Sequence, residues 1–137
     1  MEHKKMYAFL IPTSIELRQQ MAGLLREPFG GYANGYVAIP TDHPCHGKDY
    51  DEIDVYVHGG LTFGERVDIL RKKSWPQTRY YDVEMLSADD YSEIPDDYYV
   101  VGFDTLHAGD NESNCDREYC IKETLSLMEQ LEKMYND

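Results

Sequence analysis

The sequence predicts an α+β fold: a small, mostly antiparallel sheet with two main helices packed on it. Two stretches of helical periodicity, one near each end, bracket several short strand-like runs. Those runs are short and hairpin-like, which fits antiparallel pairing better than a doubly wound sheet. The chain has 137 residues, which at about 100–200 residues per domain makes residues 1–137 a single domain. A chain of that size buries about two thirds of its unfolded surface, so it needs no staples.

The opening strand is expected at Met6–Ile11, an apolar run of six that Pro12 stops. Thr13 and Glu16 have the spacing of a capping box, and a helix is expected over about 13–26. Leu17, Met21, Leu24 and Leu25 give it an apolar stripe, and Pro28, Gly30 and Gly31 end it. A second strand runs from Gly35 to Ile39 and stops at Pro40. After a polar loop, Ile53, Val55 and Val57 alternate with polar residues, the pattern of a half-buried strand broken by Gly59-Gly60. Residues 65–73 read as a short helix, Tyr80, Tyr81 and Val83 as a strand, and 87–97 as a surface loop. Tyr98–Phe103 has the composition of a buried strand. Ser113, three residues before Asp116, opens a last helix over about 115–135. Its apolar stripe (Ile121, Leu125, Met128 and Tyr135, flanked by Leu127, Leu131 and Met134) is wide enough to cover a sheet or a second copy, so a homodimer is open.

Charge limits the partners. Acidic residues number 26 and basic ones 13, a net −13 that repels phosphates and argues against nonspecific nucleic-acid binding. The distribution is polarised. Arg66, Arg71, Lys72, Lys73 and Arg79 cluster, whereas residues 82–118 hold twelve acidic side chains and one basic one. A membrane span needs about twenty apolar residues in a row, and no such run exists. The N-terminus lacks a small-residue cleavage site and reads as strand. Cys45, Cys115 and Cys120 are an odd number of thiols with no CxxC pair, which points to reduced cysteines and a cytoplasmic setting. Cys45, His46, Cys115 and Cys120 can be drawn as a zinc site, although their spacing is that of no known zinc module.

Chemistry concentrates at strand ends. Val57-His58-Gly59-Gly60 and Gly102-Phe103-Asp104-Thr105-Leu106-His107-Ala108-Gly109-Asp110 each place ligand-competent side chains and glycine after an apolar run. If the two runs lie close, two imidazoles and two carboxylates meet, a set that suits Zn²⁺, Mn²⁺ or Fe²⁺ with positions open for water. His58, Asp104 and His107 are then the metal-ligand candidates, and Asp110 and His107 the catalytic ones, in a hydrolase or metal-binding protein. The alternative is structural: Asp104 capping the amides of Leu106 and His107, and the histidines satisfying turns. His43, Asp51, Gly59 and Gly60 are candidates for ligand binding; the acids of the 43–51 loop do not have calcium-loop spacing. There is no GxGxxG, GxxxxGK[ST] or GxSxG, which excludes the common phosphate cradles and the serine nucleophile elbow.

Taken together, the His-Pro-x-x-Gly-x-x-Tyr-Asp loop (43–51), Val-His-Gly-Gly-Leu-Thr (57–62) and Gly-Phe-Asp-x-x-His-Ala-Gly-Asp (102–110) resemble a family of small phage- and prophage-associated proteins. The likeness covers residues 35–63 and 98–110, with a looser match at 116–133. It implies a role for His43, Asp51, His58, Asp104, His107 and Asp110, and it implies no reaction. A phage context also admits a non-enzymatic accessory protein that binds a host protein or a small ligand, its acidic surface meeting a basic one.

Overall fold

The computed structural model describes residues 3–77 and 82–136. Strand β1 (Tyr7–Pro12) leads into helix α1 (Ile15–Leu25), which β2 (Ala33–Ile39) follows. After a long connection come β3 (Phe63–Arg66), a short helix α2 (Val67–Lys72), β4 (Glu84–Met85), β5 (Tyr99–Phe103) and the long helix α3 (Arg117–Lys133). The five strands form one sheet in the order β3-β5-β2-β1-β4, and every neighbouring pair is antiparallel. That is the α+β architecture expected. Among the described residues, no helix is long and apolar enough to cross a membrane.

Alternation along the central strands buries both faces of the sheet. Ala8, Val37, Ile39, Tyr99, Val101 and Phe103 point to one side and pack against Leu127 and Leu131 of α3. Phe9, Tyr36, Ala38 and Val100 point to the other, where Val67 and Leu70 of α2, Tyr91 and Ile94 cover them with the ring of Trp75. Helix α3 comes close to β2 because Gly35 faces it: a Cβ there would run into the Thr124 hydroxyl and lie 2.6 Å from the Phe103 ring.

Several elements differ from expectation. The N-cap of α1 is Ser14, whose hydroxyl accepts from the Leu17 amide at 3.2 Å, while the Thr13 hydroxyl donates to the Gly31 carbonyl. The stripe of α1 does not pack on the sheet: the helix has no buried residue, and Ile15 and Leu24 are 62% and 79% exposed. The stripe has helical spacing, but none of the described residues buries it. The cap of α3 is Asp116, which accepts from the Tyr119 amide at 2.9 Å, rather than Ser113.

Residues 53–57 pair with no strand among the described residues. They run along α3 as a strap. The Gln130 side-chain amide donates to the Tyr56 carbonyl at 2.9 Å and accepts from the Tyr56 amide at 2.8 Å. The alternation still holds, because Ile53 is buried and Val55 and Val57 pack against the core under α3. The strand expected at Tyr80, Tyr81 and Val83 lies partly outside the described residues; Val83 is buried, and strand β4 begins at Glu84.

Candidate functional site

Three segments meet at the N-terminal end of α3: the end of the strap, the loop after β5, and the turn that enters the helix. The β5 loop is built from its own aspartates. Asp104 accepts from the Leu106 amide and from the Thr62 hydroxyl, each at 3.0 Å. Asp110 accepts from the His107 amide at 3.0 Å, while its own amide donates to the His107 carbonyl at 2.9 Å. Further bonds, from Gly30 to the Asp110 carbonyl and from Gly31 to the Thr105 carbonyl, tie this loop to the chain leaving α1.

His58 is held from three directions. Its amide donates to Glu123 at 2.8 Å, its Nδ1 lies 2.7 Å from the Tyr119 hydroxyl, and its Nε2 lies 2.9 Å from Asp110 Oδ1. The His107 ring donates from Nδ1 to the other Asp110 oxygen at 3.0 Å. Gly59 makes room for that ring: its φ is +68°, and a Cβ there would sit 2.5 Å from His107 Cε1.

The protonation pattern follows from Asp110. Burial pushes its carboxyl up, but hydrogen bonds from His58, from the His107 amide and from the His107 ring outweigh burial and hold its pKa below the ordinary value. The carboxylate is therefore ionised near neutral pH. His58 Nε2 must carry the proton that reaches it; in the neutral ring Nδ1 then accepts from Tyr119.

Cys115, 1% exposed, places its Sγ 3.7 Å from His58 Nε2. Burial and the neighbouring Asp110 charge push its thiol up to about 12, so it stays protonated. Cys115 and Asp110 also share one nitrogen of His58, whereas a nucleophile–base–orienter chain needs opposite nitrogens. This is not a thiol-protease arrangement.

Ligand atoms of His58, His107 and Asp110 all lie within 4.8 Å of one another. Their side chains are 19%, 36% and 9% exposed, so the group opens to solvent through His107. Two imidazoles and a carboxylate are a recurrent set for Zn²⁺, Mn²⁺ and Fe²⁺.

The structure brings His58, Asp104, His107 and Asp110 into one neighbourhood. Asp104 stands at its edge, 3.5 Å from His107 Nδ1, with its carboxylate committed to the Leu106 amide and Thr62. The converging group of ligand atoms includes Asp110 and leaves out Asp104. His43 is a buried pin. Its Nε2 donates to the Leu131 carbonyl at 2.7 Å and its Nδ1 accepts from the Cys45 amide at 2.9 Å, which leaves neither nitrogen for a ligand. Asp51 lies on an exposed turn, where it groups with Asp49 and Glu52. Gly60 closes a turn through its amide to the Val57 carbonyl.

The set Cys45, His46, Cys115 and Cys120 is not assembled. Cys45 touches Met134, beyond about 25 Å of helix from Cys115, His46 donates to the Asp97 carbonyl, and Cys120 faces the Ala33 carbonyl. Sequence reasoning missed Tyr119 and Glu123. Their only signal is that they stand four apart on one helix face, which is ordinary for any helix. No family model, no curated protein and no solved structure matches the chain.

Proposed function

We propose that this chain is a divalent-metal protein whose ion is held by His58, His107 and Asp110. The carrying observation is the convergence of their ligand atoms within 4.8 Å from two separate segments. The surroundings support it. A metal-bound histidine normally directs its second nitrogen to a fixed partner, and His58 Nδ1 faces Tyr119 at 2.7 Å. Binding would replace the proton on His58 Nε2, and Nδ1–H would then donate to Tyr119, a reversal that needs no movement of either ring. Asp110 keeps the His107 amide as its second partner. With positions left open, such an ion would supply Lewis acidity and acidify bound water, the chemistry of a hydrolase. The three cysteines are free and buried, which fits a reducing compartment, and we place the protein in the cytoplasm. The motif likeness to phage-associated proteins adds weight to these residues without naming a substrate.

A second reading is an accessory protein that binds a host protein, with the His/Asp group serving only the fold. The apolar face of α1, which the described residues leave exposed, favours it. Elemental analysis by inductively coupled plasma mass spectrometry separates the two. The tag-free protein should carry near-stoichiometric Zn, Mn or Fe that a His58→Ala/His107→Ala variant lacks. Metal-free protein after growth in supplemented medium would overturn the first reading in favour of the second.

A further inference from the structure

We infer that Cys115 is an additional ligand of this ion, which makes the centre a thiolate-containing, zinc-type site. The inference rests on the reading above and deepens it. Cys115 falls outside the three residues that share the 4.8 Å limit and reaches them through two members, His58 and Asp110. Zinc–nitrogen and zinc–sulfur bonds of about 2.0 and 2.3 Å at a tetrahedral angle place N and S about 3.5 Å apart. His58 Nε2 and Cys115 Sγ are 3.7 Å apart. The same construction gives about 3.3 Å for a nitrogen and an oxygen ligand. The observed 2.9 Å between His58 Nε2 and Asp110 Oδ1 is the length of a bond that still holds a proton.

The Cys115 sulfur is turned toward His58 Nε2 and the Asp110 carboxylate, both members of the group. The backbone of Cys115 does the anchoring: its amide donates to the Asn111 carbonyl and its own carbonyl accepts from Tyr32, each at 2.8 Å. Cys120, five residues on, differs, since its Sγ faces the Ala33 carbonyl on the sheet side.

Two consequences follow. Binding the ion would release the Cys115 thiol proton to solvent, and the resulting thiolate selects a soft divalent ion, zinc above manganese. With Cys115 the chain offers four donors, the number a tetrahedral zinc takes in a structural site. The ion then fastens the strap and the β5 loop to the start of α3, and hydrolysis would need one donor to leave.

The test is titration of the metal-free protein with cobalt(II), followed by absorption. Wild type should show tetrahedral d–d bands together with a near-ultraviolet thiolate-to-cobalt charge-transfer band, saturating at one equivalent. The charge-transfer band should vanish in Cys115→Ser, and zinc affinity measured by chelator competition should fall by about 100-fold or more. It should persist in Cys45→Ser/Cys120→Ser, where Cys115 is the remaining thiol. Cobalt d–d bands without charge transfer in wild type overturn the role of Cys115 and leave the His58–His107–Asp110 site standing. Loss of the band in the double variant also overturns it. Wild type that binds neither cobalt nor zinc overturns both.

Discussion

Asp110→Ala in metal-free protein separates the hydrogen-bond network from anything an ion adds. The carboxylate accepts hydrogen bonds from His58 Nε2, from the His107 amide and from the His107 ring. The ring of His107 is 36% exposed and can turn to water. The other two donors are part-buried, and stranding such a donor costs about 1–3 kcal/mol. Burial of the carboxylate works the other way, and its removal is a gain. The pKa of Asp110 lies below the ordinary value, so the bonds outweigh burial and the net sign is destabilising. We expect a loss of about 3 kcal/mol, or about 10 °C in Tm for a domain of this size. Asp110→Asn keeps an acceptor oxygen and should lose about half as much. The assay is thermal unfolding by circular dichroism in EDTA, with urea titration to check that the m-value is unchanged. A loss below about 0.5 kcal/mol for the alanine variant would refute the view that Asp110 organises these loops in the absence of metal.

Gly35→Ala should destabilise by about 2 kcal/mol, because its Cβ enters space held by Thr124 and the Phe103 ring and α3 must lift from β2. Urea titration reads this, and an unchanged midpoint would show that the helix is not seated there. The Asp110 carboxyl has a folded pKa below its unfolded value of about 3.9. Its stabilisation is therefore complete above about pH 4 and fades as pH falls through the lower folded value. The stability difference between wild type and Asp110→Ala should accordingly shrink below about pH 4, as the carboxyl takes up its proton. A difference that persists undiminished at about pH 2 would contradict the assignment.

How far the sequence carried depended on range. The α+β class, both long helices and the strands at β1, β2 and β5 were legible, because period and punctuation are local properties. Pairing was not. Ile53, Val55 and Val57 alternate as a strand does, yet the partner of that segment is the side chain of Gln130, seventy-four residues from Tyr56. No local pattern encodes such a partner. The stripe on α1 has the right spacing but is not buried among the described residues. At the candidate site, the gathering of His58, Asp104, His107 and Asp110 was expected from two strand ends, but the division of labour among them was not. Asp104 and Asp110 have similar surroundings in sequence, and only the loop geometry gives one to an Asx turn and the other to the two histidines. The motif resemblance implies a role for His43; its two backbone partners make it a pin.

The strap along α3 has a mechanical consequence. Tyr119, Glu123 and Gln130 project from the helix within about 40° of one another, at 100° per residue. Together they grip His58 and Tyr56, while Cys120, Thr124, Leu127 and Leu131 hold the sheet from a neighbouring face. The helix therefore acts as a cam with two tracks. Any roll that frees the strap also unseats the core contacts, so His58 cannot be released by a local fluctuation of α3 alone. The position of this imidazole is inherited from the most deeply packed helix in the molecule, although His58 itself stands in a segment without secondary structure.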